Sequence, residues 1–173
     1  AYALRGKVMN THGMKPADYM KNKELSELVA VIGLDIDTDN YTELHYGQIL
    51  IMCDSDQDGH AISCLLMRFF SKWPQLFKEG RIGKVETPLY VAKKAKVSMY
   101  FYSKSEYDAA VLSKKVTSSH EISYIKGLGS LETEDYKDIL DNTRITTIEW
   151  TGHEKLDMAF GDDSDARKIW MLS

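Results

Sequence analysis

Cysteine is scarce in this chain: Cys53 and Cys64 are the only two in 173 residues, and they lack the C-x-x-C spacing of a metal or redox motif. A chain of this length needs no staple to build a core, so a disulfide framework is excluded and free thiols in a reducing compartment are expected. Long apolar runs are missing as well. None approaches the roughly 20 residues of a membrane span, and nothing resembles a secretory leader. Positive charge is not in surplus: 22 Lys and Arg stand against 26 Asp and Glu, a net charge of −4. Any grip on nucleic acid must therefore come from a local patch or a neighbouring subunit. There is no internal repeat and no low-complexity linker. The opening Tyr2-Ala3-Leu4 reads as the interior of a longer chain, of which this is expected to be a piece.

What is present is ordinary globular composition, 43% hydrophobic, enough for one domain or one with an appendage. Leu25, Leu28, Val29 and Ile32 recur at helical spacing behind Pro16 and stop at Gly33, which predicts a helix over 16–32. An acidic turn over 35–40 leads to a strand over 46–53. Ile62, Leu65, Leu66, Phe69, Phe70 and Trp73 then form one helical stripe closed by Pro74. Strand, acidic turn and helix make the first half of a βαβ unit. A second apolar segment spans 82–91, and Lys93-Lys94-Ala95-Lys96 turns a hairpin into the alternating Val97 to Tyr102. A short helix from Ser105, a strand over 122–125, a helix over 131–140, a strand over 144–150 and a loop entering a last helix complete the expected order.

The chemistry concentrates where the strand over 46–53 ends. Asp54, Asp56 and Asp58 leave it at alternating positions, close enough to repel one another unless a cation sits among them. Asp54, Asp56, Asp58 and Gly59 match the start of an EF-hand loop, but a strand precedes them and the twelfth position is Leu65, so that reading fails. Carboxylates without histidine partners, at the carboxyl edge of an α/β sheet, suit Mg²⁺. The plain alternative is a helix cap and a solvated acidic turn. Lys126-Gly127-Leu128-Gly129 permits close backbone approach to a phosphate, yet an ordinary strand-to-helix turn explains it nearly as well. No GKS or GKT follows, so it is not a P-loop. Arg5-Gly6-Lys7 with Asn10 is a short basic segment able to meet phosphate or base edges. His12 and His60 read as surface or capping residues.

Taken in order, Leu4-Arg5-Gly6-Lys7-Val8-Met9-Asn10, Tyr46 to Gly59 with its three aspartates, and Tyr124-Ile125-Lys126-Gly127-Leu128-Gly129 resemble the TOPRIM region of type II DNA topoisomerases. The resemblance runs nearly end to end. Gln57 and Tyr46-Gly47 lean towards the eukaryotic and T-even bacteriophage branch, and there towards a phage large subunit. It implies an α/β fold: a Rossmann-like TOPRIM domain with a parallel central sheet flanked by helices, plus a smaller α+β extension. The boundaries expected are a core over 1–93, a hairpin and helix insertion over 94–120, and a C-terminal extension over 121–173.

The resemblance also implies a site. Asp54 and Asp56 would hold Mg²⁺ with Asp58 assisting, and Asp54, Asp56 and Lys126 would be the catalytic groups. Arg5, Lys7, Asn10 and Lys126 would contact DNA. The chemistry implied is reversible tyrosine transesterification on duplex DNA, with ATP bound outside this chain. The implied partners are a subunit or domain carrying a winged helix and the tyrosine, and an upstream ATPase domain, in a two-fold symmetric holoenzyme of the cytoplasm or nucleoid.

Three departures stand out. The family's Glu-Gly-Asp-Ser motif is absent, so one metal position lacks its carboxylate. Asp58-Gly59-His60-Ala61 shifts the family's histidine by one place, about 100° around a helix, so its role is not carried over. None of the ten tyrosines is assigned as nucleophile, and the isolated chain is expected to be inactive. Two alternatives remain: the TOPRIM domain of a primase, a type IA topoisomerase or an OLD-type nuclease, and a non-catalytic Mg²⁺-stabilised interaction module.

Overall fold

The computed structural model describes residues 1–39, 41 and 43–172. Asn40, at the end of the expected acidic turn, and Ser173, at the end of the expected extension, lie outside the described residues. The expected helix over 16–32 is two helices, α1 (Pro16–Tyr19) and α2 (Lys23–Ile32). The break has a local cause: the Asn22 side chain accepts the Leu25 N–H at 3.0 Å and starts a fresh helix. Gly33 ends α2 with φ 81°, the left-handed conformation that favours glycine.

Strand β1 (Ile49–Ile51) runs through Cys53 into the acidic turn, and α3 (Gln57–Phe70) follows. Pro74 does more than close that helix. It occupies the first turn of a new one, α4 (Pro74–Lys78), where its missing N–H costs nothing. The apolar segment over 82–91 is interrupted by Glu86-Thr87-Pro88-Leu89 and gives two strands, β2 (Ile82–Val85) and β3 (Tyr90–Lys94). The hairpin expected at Lys93 to Lys96 forms: β3 pairs antiparallel with β4 (Val97–Phe101), Lys94 opposite Val97.

Helix α5 (Lys104–Leu112) starts on an N-cap, Ser103 Oγ accepting the Glu106 N–H, and the Glu106 carboxylate accepts the Tyr102 N–H just ahead of it. After it come β5 (Glu121–Tyr124), a 3₁₀ turn at Leu128–Ser130, α6 (Thr133–Asp141), β6 (Ile145–Thr147), α7 (Glu154–Phe160) and α8 (Ser164–Leu172). The sequence pattern gave no sign of α7. The strands form two sheets, ordered β1-β2-β6 and β4-β3-β5, and the second is antiparallel throughout. The protein is thus mixed α/β. Among the described residues, no helix is long and apolar enough to cross a membrane.

The chain divides into two compact units. The first comprises residues 1–49, 61–83 and 147–173. Its core is the stripe read from the sequence: Phe69, Phe70 and Trp73 are buried with Leu25 and Leu76. Phe69 packs on Phe70 and Trp73, ring centroids 5.1 and 5.5 Å apart. Burying one such phenylalanine stabilises the fold by about 1.5–3 kcal/mol. The Trp73 indole N–H donates to the Asp35 carbonyl at 2.9 Å, so this core ring leaves no polar group unmet.

The second unit comprises residues 50–60 and 84–146. Its antiparallel sheet separates two apolar clusters: Val91, Ile125, Leu131 and Ile139 on one side, and Ala92, Phe101, Ala110 and Val116 on the other. Alternation along β3 sends Val91 to one cluster and Ala92 to the other.

Candidate metal centre

The acidic turn lies in the second unit together with the Lys126-Gly127-Leu128 segment. Ile51 and Cys53 are buried and fix the chain entering the turn. Asp54 lies three residues beyond the strand, and its Oδ1 accepts the Leu128 backbone N–H at 2.6 Å, across 74 residues of sequence. Gly127 makes this approach possible: a Cβ there would lie 2.9 Å from Asp54 Oδ2. Gly59 is tighter still, for its Cβ would overlap the Asp54 carbonyl oxygen.

Leu128 is itself held firmly. Its carbonyl accepts the Tyr136 hydroxyl at 2.6 Å, and its side chain packs on the Val91, Ile125, Leu131 and Ile139 cluster. The Asp54 carboxylate is therefore fixed through Leu128 to the core of its own unit.

Asp56 caps α3, its Oδ1 accepting the Gly59 N–H at 2.7 Å, where the positive end of the helix favours a carboxylate. The His60 Nδ1 bonds to the Asp56 carbonyl, folding that ring back on its own helix. Asp58, in the first turn of α3, is exposed. Between the two anchored aspartates, Ser55 Oγ and Thr87 Oγ1 share a hydrogen bond of 2.7 Å. Lys126 is exposed just beyond the buried Ile125. Its ammonium group has no ion-pair partner among the described residues.

The donor set sets a limit on what this turn can hold. Among the described residues no three His, Cys, Asp or Glu side chains converge as a metal cluster. An all-protein cage of the kind Ca²⁺ takes is not built here. Asp54 and Asp56 each commit Oδ1 to a backbone N–H and keep Oδ2 clear of any hydrogen bond among the described residues. Two carboxylates with one oxygen apiece are the donor set that Mg²⁺ uses while it retains several waters. The residues present fit Mg²⁺ in that sense.

Arg5, Lys7 and Asn10 belong to the first unit. Val8 is buried between them, and the Arg5 backbone N–H donates to Glu24 at 3.0 Å, leaving the Arg5 and Lys7 side chains exposed. Asn10 has a tie that the sequence did not reveal. Its Nδ2 donates to the Phe160 carbonyl at 2.9 Å, and its Oδ1 accepts the His12 N–H at 3.0 Å. Asp157 on α7 accepts Arg68 of α3 at 2.9 Å and lies 3.5 Å from His12 Nδ1. Arg167 donates to the carbonyls of Ala159 and Gly161 at 3.1 and 2.8 Å.

A carboxylate turn fed by a short strand and latched to a glycine segment, in a mixed α/β chain, defines a class, and comparison with known proteins identifies it as TOPRIM-associated. Residues 85–173 match the family model described as the C-terminal associated domain of TOPRIM. The DNA topoisomerase small subunit of Enterobacteria phage T4 is 39% identical over 133 residues, covering 75% of this chain and 81% of that protein. Human DNA topoisomerase 2-beta is 32% identical over 99% of this chain, which spans 11% of its length. The solved DNA-binding, cleavage and re-ligation domain of Plasmodium falciparum topoisomerase II superimposes with a TM-score of 0.78 at 30% identity, over 97% of this chain and 24% of that one. The chain belongs to the type II DNA topoisomerase family and forms part of such an enzyme. Its phage relative is a small subunit, where the sequence leaned towards a large one.

Proposed function

We propose that this chain is the metal-holding part of the cleavage and religation centre of an ATP-dependent type II topoisomerase that acts on duplex DNA. The observation that carries the reading is the bond from the Leu128 N–H to Asp54 Oδ1, 2.6 Å long. It joins the two motifs of the second unit, the carboxylate turn and the Lys126-Gly127-Leu128 segment, at one carboxylate. The path from β1 through α3 and α4 to β2 is what a parallel crossover in a TOPRIM core requires. In this reading residues 1–93 form the core, 94–120 an insertion and 121–173 the extension.

Asp54 and Asp56 hold Mg²⁺ through the oxygens their backbone anchors leave over, with Asp58 assisting from the first turn of α3. When bound, the cation stabilises charge at a scissile phosphate and on the departing deoxyribose oxygen. Lys126, exposed and without an ion-pair partner among the described residues, pairs with a phosphate next to that site. Arg5, Lys7 and Asn10 contact the DNA backbone. Asn10 retains one N–H and one oxygen lone pair for this beyond its two internal bonds. The nucleophilic tyrosine and its winged helix, the ATPase domain, and a two-fold related second half come from outside this chain, and the assembly works in the cytoplasm or nucleoid.

The test is Asp54→Ala, Asp56→Ala and the double variant in the assembled enzyme, assayed for DNA cleavage at increasing Mg²⁺. Each single change should lower cleavage by about 100-fold or more, in the range that removal of one transition-state-stabilising group costs. Normal cleavage with both carboxylates gone would sink the reading.

One observation favours a second reading, a Mg²⁺-stabilised interaction module without catalysis. Each anchored carboxylate already accepts a backbone N–H, so the turn is satisfied without chemistry. That module would lose Mg²⁺-dependent thermal stability in the same variants while the enzyme still cleaved DNA.

A further inference from the structure

Three hydrogen bonds made by the side chains of Asp54, Ser55 and Asp56 anchor the carboxylate turn, and they are of two kinds. Those from the Leu128 N–H to Asp54 and from the Gly59 N–H to Asp56 each take up one oxygen of a carboxylate. The third, shared between Ser55 Oγ and Thr87 Oγ1 at 2.7 Å, uses neither carboxylate. Ser55 sits between Asp54 and Asp56, so a rotation of its backbone re-aims both.

Thr87 is built as a fixed post. It is 8% exposed and precedes Pro88, which is fully buried, and a residue before proline is confined to extended backbone. Backbone hydrogen bonds pin the segment on either side: the Glu86 N–H to the Arg144 carbonyl at 2.9 Å, and the Leu89 N–H to the Phe101 carbonyl at 2.8 Å. A hydroxyl so placed has few ways to move. Its partner Ser55 is exposed, and packing does not hold it. The constraint therefore runs from Thr87 to the turn.

We infer that Thr87 is a positioning residue for the metal carboxylates, acting through Ser55. The inference rests on the metal role proposed for Asp54 and Asp56. Without the Thr87 hydroxyl the turn keeps its fold but samples more orientations, and a cation pays the ordering cost on binding.

The experiment uses the full-length enzyme assembled with its partners and measures Mn²⁺ binding by electron paramagnetic resonance, with unfolding temperature and Mg²⁺-dependent cleavage alongside. Thr87→Val keeps shape and removes the hydroxyl; Thr87→Ser keeps the hydroxyl. Thr87→Val and Ser55→Ala should each weaken Mn²⁺ affinity by about threefold to tenfold, the worth of one hydrogen bond. The double variant should be no weaker than either single one, and Thr87→Ser should restore wild-type affinity. Unchanged Mn²⁺ affinity in Thr87→Val, or a Thr87→Ser variant as weak as Thr87→Val, overturns the positioning role. Since Ser55 is exposed, Ser55→Ala decides the matter if Thr87→Val does not fold: unchanged affinity there overturns the inference as well. Asp54→Asn with Asp56→Asn separates the two levels. If that double variant binds Mn²⁺ like wild type, the metal reading falls and this inference with it; if it loses Mn²⁺ while Thr87→Val does not, the positioning role alone falls.

Discussion

Replacing Gly127 with alanine separates the stability of the carboxylate turn from its function. Gly127 has extended backbone, φ −172° and ψ 169°, which any residue adopts, so alanine meets no conformational penalty. Its Cβ would lie 2.9 Å from Asp54 Oδ2, 3.1 Å from Cγ and 3.3 Å from Oδ1, and the carboxylate must turn away. The displaced group is the end of a side chain, so the cost is confined to the bond from Leu128. A hydrogen bond to a charged acceptor contributes about 1.5–3 kcal/mol. Against it stands the roughly 0.4–1 kcal/mol that alanine gains over glycine by restricting the unfolded chain. The net loss is about 1–2 kcal/mol, and the protein stays folded.

The effect on chemistry is larger, because a misplacement of about 1 Å at a reacting centre costs on the order of 100-fold in rate. Denaturant unfolding should therefore show only that loss of about 1–2 kcal/mol, while DNA cleavage by the assembled enzyme falls about 100-fold. Gly59→Ala is the control, in which the loss falls on backbone packing. A helical alanine ordinarily gains about 1 kcal/mol over glycine. Here its Cβ would run into the Asp54 carbonyl, with Asp54 C and N at 2.9 Å, and backbone cannot rotate aside. That overpacking costs about 1–3 kcal/mol or more and registers as lost stability. Normal cleavage in Gly127→Ala, or a neutral Gly59→Ala beside an unfolded Gly127→Ala, would refute the reasoning.

Two further predictions concern what holds each unit together. Burial pushes the Asp135 carboxyl up, but the Glu132 N–H, Lys93 and Tyr100 outweigh it and hold its pKa below the usual carboxylate value. Such a group contributes its full stability above the unfolded-state pKa of about 3.9, and the contribution fades as pH falls through the lower folded value. Asp135→Asn should therefore cost about 1–2 kcal/mol at neutral pH, since the Glu132 N–H and the Tyr100 hydroxyl lose a charged acceptor while Lys93, partly exposed, keeps its pair with Glu132. It should also flatten the loss of stability below about pH 4, as followed by urea unfolding across pH. In the first unit, Trp73→Ala should cost about 3–5 kcal/mol in denaturant unfolding, because Trp73 is 0% exposed and its removal also breaks the bond to the Asp35 carbonyl.

Much of this fold is written in periodicity, and the exceptions have local causes. The stripe from Ile62 to Trp73 was legible because one face of α3 is apolar, and the hairpin at Lys93 to Lys96 because β-branched and aromatic residues alternate beyond it. The break between α1 and α2 was missed because the apolar period continues across a cap that only Asn22 signals. The split between β2 and β3 was missed because Val85 and Leu89 are apolar, and only Pro88 shows that the ladder cannot run through. Helix α7 has no buried residue, hence no stripe to read.

The site divides along the same line. Its chemical groups were legible by residue type, since carboxylates at alternating positions, a glycine pair and a basic segment stand out in any sequence. Their anchoring was not. The donor to Asp54 is a backbone N–H, which every residue but proline carries, so nothing in the letter Leu128 marks it. The Ser55 and Thr87 hydroxyls stand 32 residues apart with no spacing rule to connect them.

If the turn holds a cation as proposed, this anchoring is how satisfied carboxylates can still serve it. A free pair of aspartates would repel, rotate apart and present four oxygens in no fixed direction. Backbone N–H groups on Asp54 and Asp56 remove one oxygen from each and offset part of their charge. The oxygen left on each is aimed by the bond its neighbour makes. The anchors therefore lower the ordering cost of binding without exhausting the donors, which is the arrangement a reversible site needs when its cation must also keep water and meet a phosphate.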